Sequence, residues 1–241
     1  LLWPTSSGTG SEDLDIIKAF VAKGFKTFML KMGDRPIVDE IKRVQEVHAH
    51  LPEGVKVMVD ANQGWTRNEA NDFFSGTEDI PLILVEQPLP ASDLDGLHLL
   101  KNKFQRLVSV DESLQTPDSV ENILKKDAAD VFSIKISKNG GLRSSHDIGK
   151  KVAAQGKKIL MNSMIELGIT QCASLHLGCV FENLMDCGHA YMSTLRTSDD
   201  VTNFSSWIDK GAAKLRDEPG LGVKVDSERI NKYLEDEHHG S

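Results

Sequence analysis

A chain of 241 residues is long enough for one well-buried domain, and its balance of 39% hydrophobic to 27% charged residues is that of a globular protein. A formal net charge of −8 argues against a nucleic-acid backbone or an anionic membrane as the main partner. No run of eighteen apolar residues is present, Leu1-Leu2-Trp3-Pro4 is not a signal peptide, and Cys172, Cys179 and Cys187 lack C-x-x-C spacing. They read as reduced thiols of a cytoplasmic protein without a zinc site.

Eight short β-like runs follow one another: Leu2–Thr5, Phe25–Lys31, Val55–Asp60, Leu82–Glu86, Leu107–Val110, Val131–Lys135, Lys158–Asn162 and Asn183–Cys187. Amphipathic segments lie between them. One carries Ile37, Ile41, Val44, Val47 and Leu51 at near-helical spacing behind Pro36; others run over 69–75, 118–126, 144–155 and 170–180. Strands alternating with helices imply βαβ units, and eight such units imply a closed (β/α)8 barrel of the TIM type, whose active sites lie at the strand C-terminal ends. Residues 1–215 are assigned to the barrel and 216–241 to a C-terminal extension and tail. In that extension Leu221, Val223 and Val225 alternate as a short strand that needs a partner. The charged tail from Glu235 to Ser241 is expected to fray.

Five residues end successive strands: Lys31, Asp60, Glu86, Asp111 and Lys135, spaced 29, 26, 25 and 24 apart. An acid at one strand end more often caps the next helix than binds a ligand. Three on consecutive strands are different, because neighbouring strands lie only about 4.8 Å apart. Carboxylates converging there repel one another unless a cation sits among them, and oxygen-only donors on rigid strand ends suit Mg²⁺, or Mn²⁺ in its place. Lysines flanking such a cation on both sides can act as base and conjugate acid on opposite faces of one carbon.

The motifs Met29-Leu30-Lys31-Met32-Gly33, Asp60-Ala61-Asn62-Gln63-Gly64-Trp65, Val85-Glu86-Gln87-Pro88, Asp111-Glu112-Ser113 and Lys135-Ile136-Ser137-Lys138-Asn139-Gly140-Gly141 resemble, taken together, the enolase superfamily and within it the muconate-lactonizing-enzyme subgroup. The likeness covers essentially residues 1–230. It implies Mg²⁺ ligands at Asp60, Glu86 and Asp111, an acid/base pair at Lys31 and Lys135, and abstraction of a proton α to a carboxylate through an enediolate. The outcome would be racemisation, epimerisation or cycloisomerisation of a small carboxylic acid. The alternatives are a one-base syn-dehydratase of the same superfamily, or a truncated barrel that binds metal without catalysis.

Two departures bear on this. The subgroup carries Lys-x-Lys on the second strand, whose first lysine depresses the pKa of the second; here that position is Met29. The subgroup also has an N-terminal α+β capping domain, which this sequence lacks, so the expectation is a fragment of a longer protein or a site completed by another subunit. A homo-oligomer is expected. Asn62, Glu112, Lys138, Glu166 and Asp186 are the candidate neighbouring or substrate-orienting groups, the last two ending the seventh and eighth strand regions. Only Asp186 matches the Asp-x-Asp by which dipeptide epimerases hold an ammonium group. Asn139-Gly140-Gly141 lacks the Lys-Ser/Thr of a phosphate loop and reads as a tight turn, while Trp65 reads as packing under the rim and His48, His50 and His189 as surface or packing residues.

Overall fold

A computed structural model describes residues 1–6 and 8–234. Seven strands form one parallel sheet in chain order: β1 (Leu2–Pro4), β2 (Thr27–Lys31), β3 (Lys56–Asp60), β4 (Val85–Glu86), β5 (Val108–Val110), β6 (Val131–Ile134) and β7 (Lys158–Met161). Around it lie α1 (Gly10–Val21), α2 (Ile37–Ala49), α3 (Arg67–Gly76), α4 (Leu94–Phe104), α5 (Pro117–Lys125), α6 (Gly141–Ala154) and α7 (Gly168–Gly178), with α8 (Ser227–Tyr233) at the end. Phe28, Met58, Leu84, Phe132 and Leu160 are fully buried, as in a sheet covered on both faces. This is the α/β barrel architecture expected from the strand–helix alternation.

The helix starts follow from local chemistry. Thr9 and Thr66 cap α1 and α3 reciprocally with Glu12 and Glu69, each glutamate accepting from the cap backbone N–H at 2.6 and 2.8 Å. Pro117 opens α5, where its missing N–H costs nothing.

The eighth strand differs from expectation. Leu184 makes only an isolated parallel bridge to Ile159, flanked by backbone bonds from Ile159 to Asn183 (3.0 Å) and from Met185 to Ile159 (2.9 Å). The chain then continues along β7, Ala190 N–H donating to the Met161 carbonyl (3.0 Å), while Leu2 N–H of β1 donates to the His189 carbonyl (3.0 Å). Residues 183–190 thus close the ring as an irregular seam rather than a regular strand.

The segment Leu221–Val225 is not a strand either. Val225 makes one antiparallel bridge to Thr202, and Gly220 and Gly222 take φ of 69° and 71°, a left-handed geometry that interrupts β pairing. Its half-buried Leu221 and Val223 pack on the core of the same chain, and Cys172 and His176 of α7 contact the Leu221 carbonyl at 3.0 and 3.1 Å. The tail from Glu235 lies outside the described residues. Among the described residues no helix is long and apolar enough to cross a membrane.

Candidate active site at the barrel rim

Parallel pairing brings the five strand-end residues to one rim. Lys31 is in register with Asp60, Asp60 with Glu86, and Glu86 with Ser109, two residues before Asp111. Close backbone packing positions the loops above them. A Cβ on Gly64 would stand 2.2 Å from the Gly33 carbonyl oxygen, and one on Gly33 would stand 2.0 Å from that of Ala61. Only glycine allows the turns after β2 and β3 to touch in this way, which accounts for both glycines of those motifs.

Each carboxylate is engaged differently. Lys31 Nζ forms an ion pair with Asp60, whose other oxygen accepts from the Asn62 backbone N–H at 2.9 Å. Lys135 Nζ donates to Asp111 at 2.5 Å, and Lys138 Nζ reaches both the Asp111 carboxylate and its carbonyl oxygen, the latter at 2.6 Å. Glu86 has no ammonium among its hydrogen-bond partners. It accepts from the Ser133 hydroxyl and from Asn162 Nδ2 at 3.0 Å, entirely out of contact with solvent. Among the described residues, no three acid, histidine or cysteine side chains are gathered closely enough to share one ion in this arrangement. The lysines instead hold the outer two acids.

The charges read accordingly. Burial drives the Glu86 carboxyl well above the ordinary carboxylate range, and repulsion from Asp60 and Asp111 drives it further. Burial alone would raise Asp111 too, but attraction to Lys138 and Lys135 prevails and holds it below its usual value. For Lys31 and Lys135 burial favours loss of the proton; Asp60 and Glu86 around the first, and Asp111 and Glu86 around the second, outweigh it and keep both above the ordinary lysine value.

Two buried amides that the sequence reading passed over fix this geometry. Gln87, at a left-handed φ of 35°, accepts from the backbone N–H of Asp111 (3.0 Å) and Ser113 (3.1 Å) and donates to the Leu89 carbonyl (2.9 Å). Asn139 accepts from the Lys135 backbone N–H (2.9 Å) and donates to the Leu114 carbonyl (2.9 Å), tying the end of β6 to the loop that carries Asp111. The following Gly140 and Gly141, at φ of 81° and 86°, make the expected tight turn into α6.

The secondary candidates divide. Asn62 donates to Glu112 at 3.3 Å, so both stand beside Asp60 and Asp111 at the rim; burial, then the charge of Asp111, raises the Glu112 pKa. Glu166 accepts from Ser137 (2.7 Å), Ser163 (2.5 Å) and Gln171 (3.1 Å), clasping the loops after β6 and β7. Asp186 is misplaced by the sequence reading. It is exposed beside Lys26 and Lys56, at the starts of β2 and β3, on the barrel end opposite Lys31. The cause is register: Leu184 bridges Ile159 near the start of β7, and the chain reaches the rim only around Ala190. Trp65 is buried packing, its indole N–H donating to Glu40 at 2.6 Å.

Beside the lysine–carboxylate row opens a cavity of about 240 Å³, bounded by β1, β2, the loop after β7 and residues 190–196. Met29 and Lys31 line it from β2, with Asn162, Ile165, Met192 and Arg196 among the other walls.

The sequence profile of the family described as enolase C-terminal domain-like matches residues 14–230. The chain belongs to that family. Muconate cycloisomerase 1 of Acinetobacter baylyi is 28% identical over 233 residues, covering 96% of this chain and 63% of the relative. L-Ala-D/L-Glu epimerase of Bacillus subtilis is 32% identical over 208 residues, covering 85% of this chain and 56% of the relative. Muconate lactonizing enzyme from Pseudomonas putida shares the fold at a TM-score of 0.91 and 24% identity, over 97% of this chain and 65% of that one. The chain spans less than two thirds of the length of these family relatives.

Proposed function

We propose that this chain is the barrel portion of an isomerase that moves a proton α to the carboxylate of a small acid, with residues 216–241 as an extension outside the barrel. The observation that carries the reading is the row itself: two lysines, Lys31 and Lys135, at either end of three acids on one rim. Its membership of the enolase family and its isomerase relatives support it.

The donor chemistry fits a hard divalent cation such as Mg²⁺. Glu86 is buried between two further acids and has no ammonium bonded to it, and all the donors are carboxylate oxygens on strand ends. Asp60, Glu86 and Asp111 would hold the ion, with Lys31, Lys135 and Lys138 turning from the carboxylate oxygens they now bind. When bound, the ion supplies positive charge against which a substrate carboxylate can take up the electron pair left by a departing proton.

The rest falls to the chain's own groups. Lys135 Nζ, anchored through Asn139 at its backbone, takes or returns the proton on one face of the α carbon. Lys31 Nζ holds or delivers a proton on the other. Met29 favours a second reading, because it adds no charge beside Lys31: a one-base reaction in which Lys31 remains an ammonium.

Incubation in D₂O with Mg²⁺ and each enantiomer of a candidate α-substituted acid tests the proposal. Exchange at the α carbon of both enantiomers supports two-base isomerisation, and exchange of one supports the one-base reading. If calorimetry shows binding of neither Mg²⁺ nor a carboxylate, both readings fail.

A further inference from the structure

Lys31 stands where the β1–β2 ladder runs out. Backbone carbonyls along a strand face its two neighbours in turn, and on the β1 side the Met29 carbonyl accepts from the Thr5 N–H at 2.8 Å. The next carbonyl on that side belongs to Lys31, but β1 has already ended at Pro4. A side chain takes the place of the strand. Arg43 Nη1, from α2, donates to the Lys31 carbonyl at 2.7 Å, and Nη2 donates at 2.9 Å to the carbonyl of Ser6, on the segment leaving β1. The guanidinium is buried, and Asp13 of α1 fixes its plane by accepting from Nε at 2.6 Å and from Nη2 at 2.9 Å. One turn earlier on α2, the buried Glu40 accepts from the Gly33 N–H at 2.6 Å. Helix α2 thus grips the chain at both Lys31 and Gly33, as it leaves β2.

From this arrangement we infer that Arg43 is a positioning residue for Lys31, acting through the Lys31 main chain to aim the ammonium at one face of the reacting carbon. Arg43 is not among the walls of the cavity beside Lys31, so its effect on a ligand there passes through the lysine. The other end of the row has a matching device in Asn139, which accepts the Lys135 backbone N–H at 2.9 Å. Each lysine therefore has its own backbone anchor, and loosening one leaves the other in place. Without Arg43 the last peptide of β2 is free to rotate, and a displacement of about 1 Å at a reacting group can cost about a hundredfold in rate. The inference rests on the proposed function only where it gives Lys31 a proton to move; the anchoring itself does not depend on catalysis.

The test reads position separately from turnover, on the full chain with Mg²⁺ present. In Arg43→Lys a cation still faces Asp13, but a single ammonium cannot reproduce the planar fork that serves a carboxylate and two carbonyls together. Arg43→Met/Asp13→Leu removes the pair as a unit and leaves no lone buried charge. Asp13→Asn is the control for stability alone, since its amide oxygen can still accept from the guanidinium while the charge pairing is lost. Two quantities are followed: α-proton exchange in D₂O for each enantiomer, and the Cε–Hε NMR signals of Lys31 and Lys135, assigned through Lys31→Met and Lys135→Met. Both Arg43 variants are expected to slow exchange of the Lys31-dependent enantiomer by about tenfold or more and to leave the other within about twofold. They also displace or broaden the Lys31 signal and leave that of Lys135 in place. Asp13→Asn lowers the urea midpoint and changes neither quantity. Equal slowing of both enantiomers, or an unmoved Lys31 signal, overturns the inference; where the wild type exchanges a single enantiomer, the signal decides. A displaced Lys31 signal with no exchange of any acid keeps the anchoring and removes the proposed function. Exchange that persists unchanged in both Arg43 variants, with the Lys31 signal in place, removes Arg43 and leaves the function intact.

Discussion

Gln87 holds Asp111 by its backbone: the buried amide oxygen accepts the Asp111 N–H at 3.0 Å from the neighbouring strand end. Because Glu86 immediately precedes Gln87, one residue's side chain sets the spacing between two of the three rim acids. Gln87→Leu would leave the buried N–H groups of Asp111 and Ser113 without their acceptor, at about 1–3 kcal/mol for each group. The expected result is a stability loss of about 2–6 kcal/mol in urea unfolding, together with weaker Mg²⁺ binding by calorimetry. Retention of both wild-type values would show that the loops hold Asp111 unaided.

Lys135 and Lys31 stand in different surroundings and should fail differently. Lys135 is nearly excluded from solvent, while the Lys31 side chain keeps 32% exposure. Replacement of either by Met removes one proton-transfer group, and positioned acid–base groups contribute about 10²–10⁴-fold. In the two-base case each single variant abolishes α-proton exchange for one enantiomer and leaves it for the other. Exchange confined to one enantiomer in the wild type, abolished in Lys135→Met and little changed in Lys31→Met, would establish the one-base reaction.

Met29 shares a strand face and a cavity with Lys31. Met29→Lys places a second ammonium beside the first, which disfavours the charged form of Lys31. The ascending limb of the pH–rate profile for exchange should move to lower pH by about one unit or more. An unmoved limb would show that residue 29 does not tune the base.

His189 belongs to the closing seam, where Nδ1 accepts the Met161 backbone N–H at 3.2 Å and therefore must be unprotonated. Burial lowers its pKa from 6.5 to about 4. The unfolded chain then binds the proton more readily than the folded one between these values, so stability is complete above about pH 6.5 and declines as pH falls toward 4. The decline attributable to this group is about 3 kcal/mol at most. Denaturant unfolding of wild type and His189→Gln across that range checks it: the glutamine variant can offer an acceptor to Met161 without titrating, and its curve should be flatter. Parallel curves would remove His189 from the acid response.

What was legible from sequence depended on whether the signal was local. The apolar runs ending in Lys31, Asp60, Glu86, Asp111 and Lys135 carry their own boundaries, and parallel pairing brings such ends to a common rim. Helix α1 also had a local signal, the Thr9-x-x-Glu12 capping box, which the strand pattern around it overshadowed. Asp186 was misplaced because Asn183–Cys187 looks like another run ending in an acid. Its true position depends on a pairing register with β7 that no local pattern encodes. Gln87, Asn139, Ser133 and Asn162 are polar residues whose burial and complete bonding arise from other strands' ends. Arg196 enters the site only because the seam brings residues 190–196 back to β1 and β2.

That seam has a mechanical consequence. Elsewhere adjacent strands are zipped by regular ladders, but between β7 and β1 the ring depends on scattered bonds through Asn183, Met185, His189 and Ala190. Segments held this way open at lower free energy than ladder-bonded cores, so their amides should exchange with deuterium ahead of those in β3 and β6. Ala190 and Met192 are also walls of the cavity. That wall of the cavity is thus the most compliant stretch of the ring, whereas Lys31 and Asp60 stand on its longest ladder, the five registered pairs of β2 and β3.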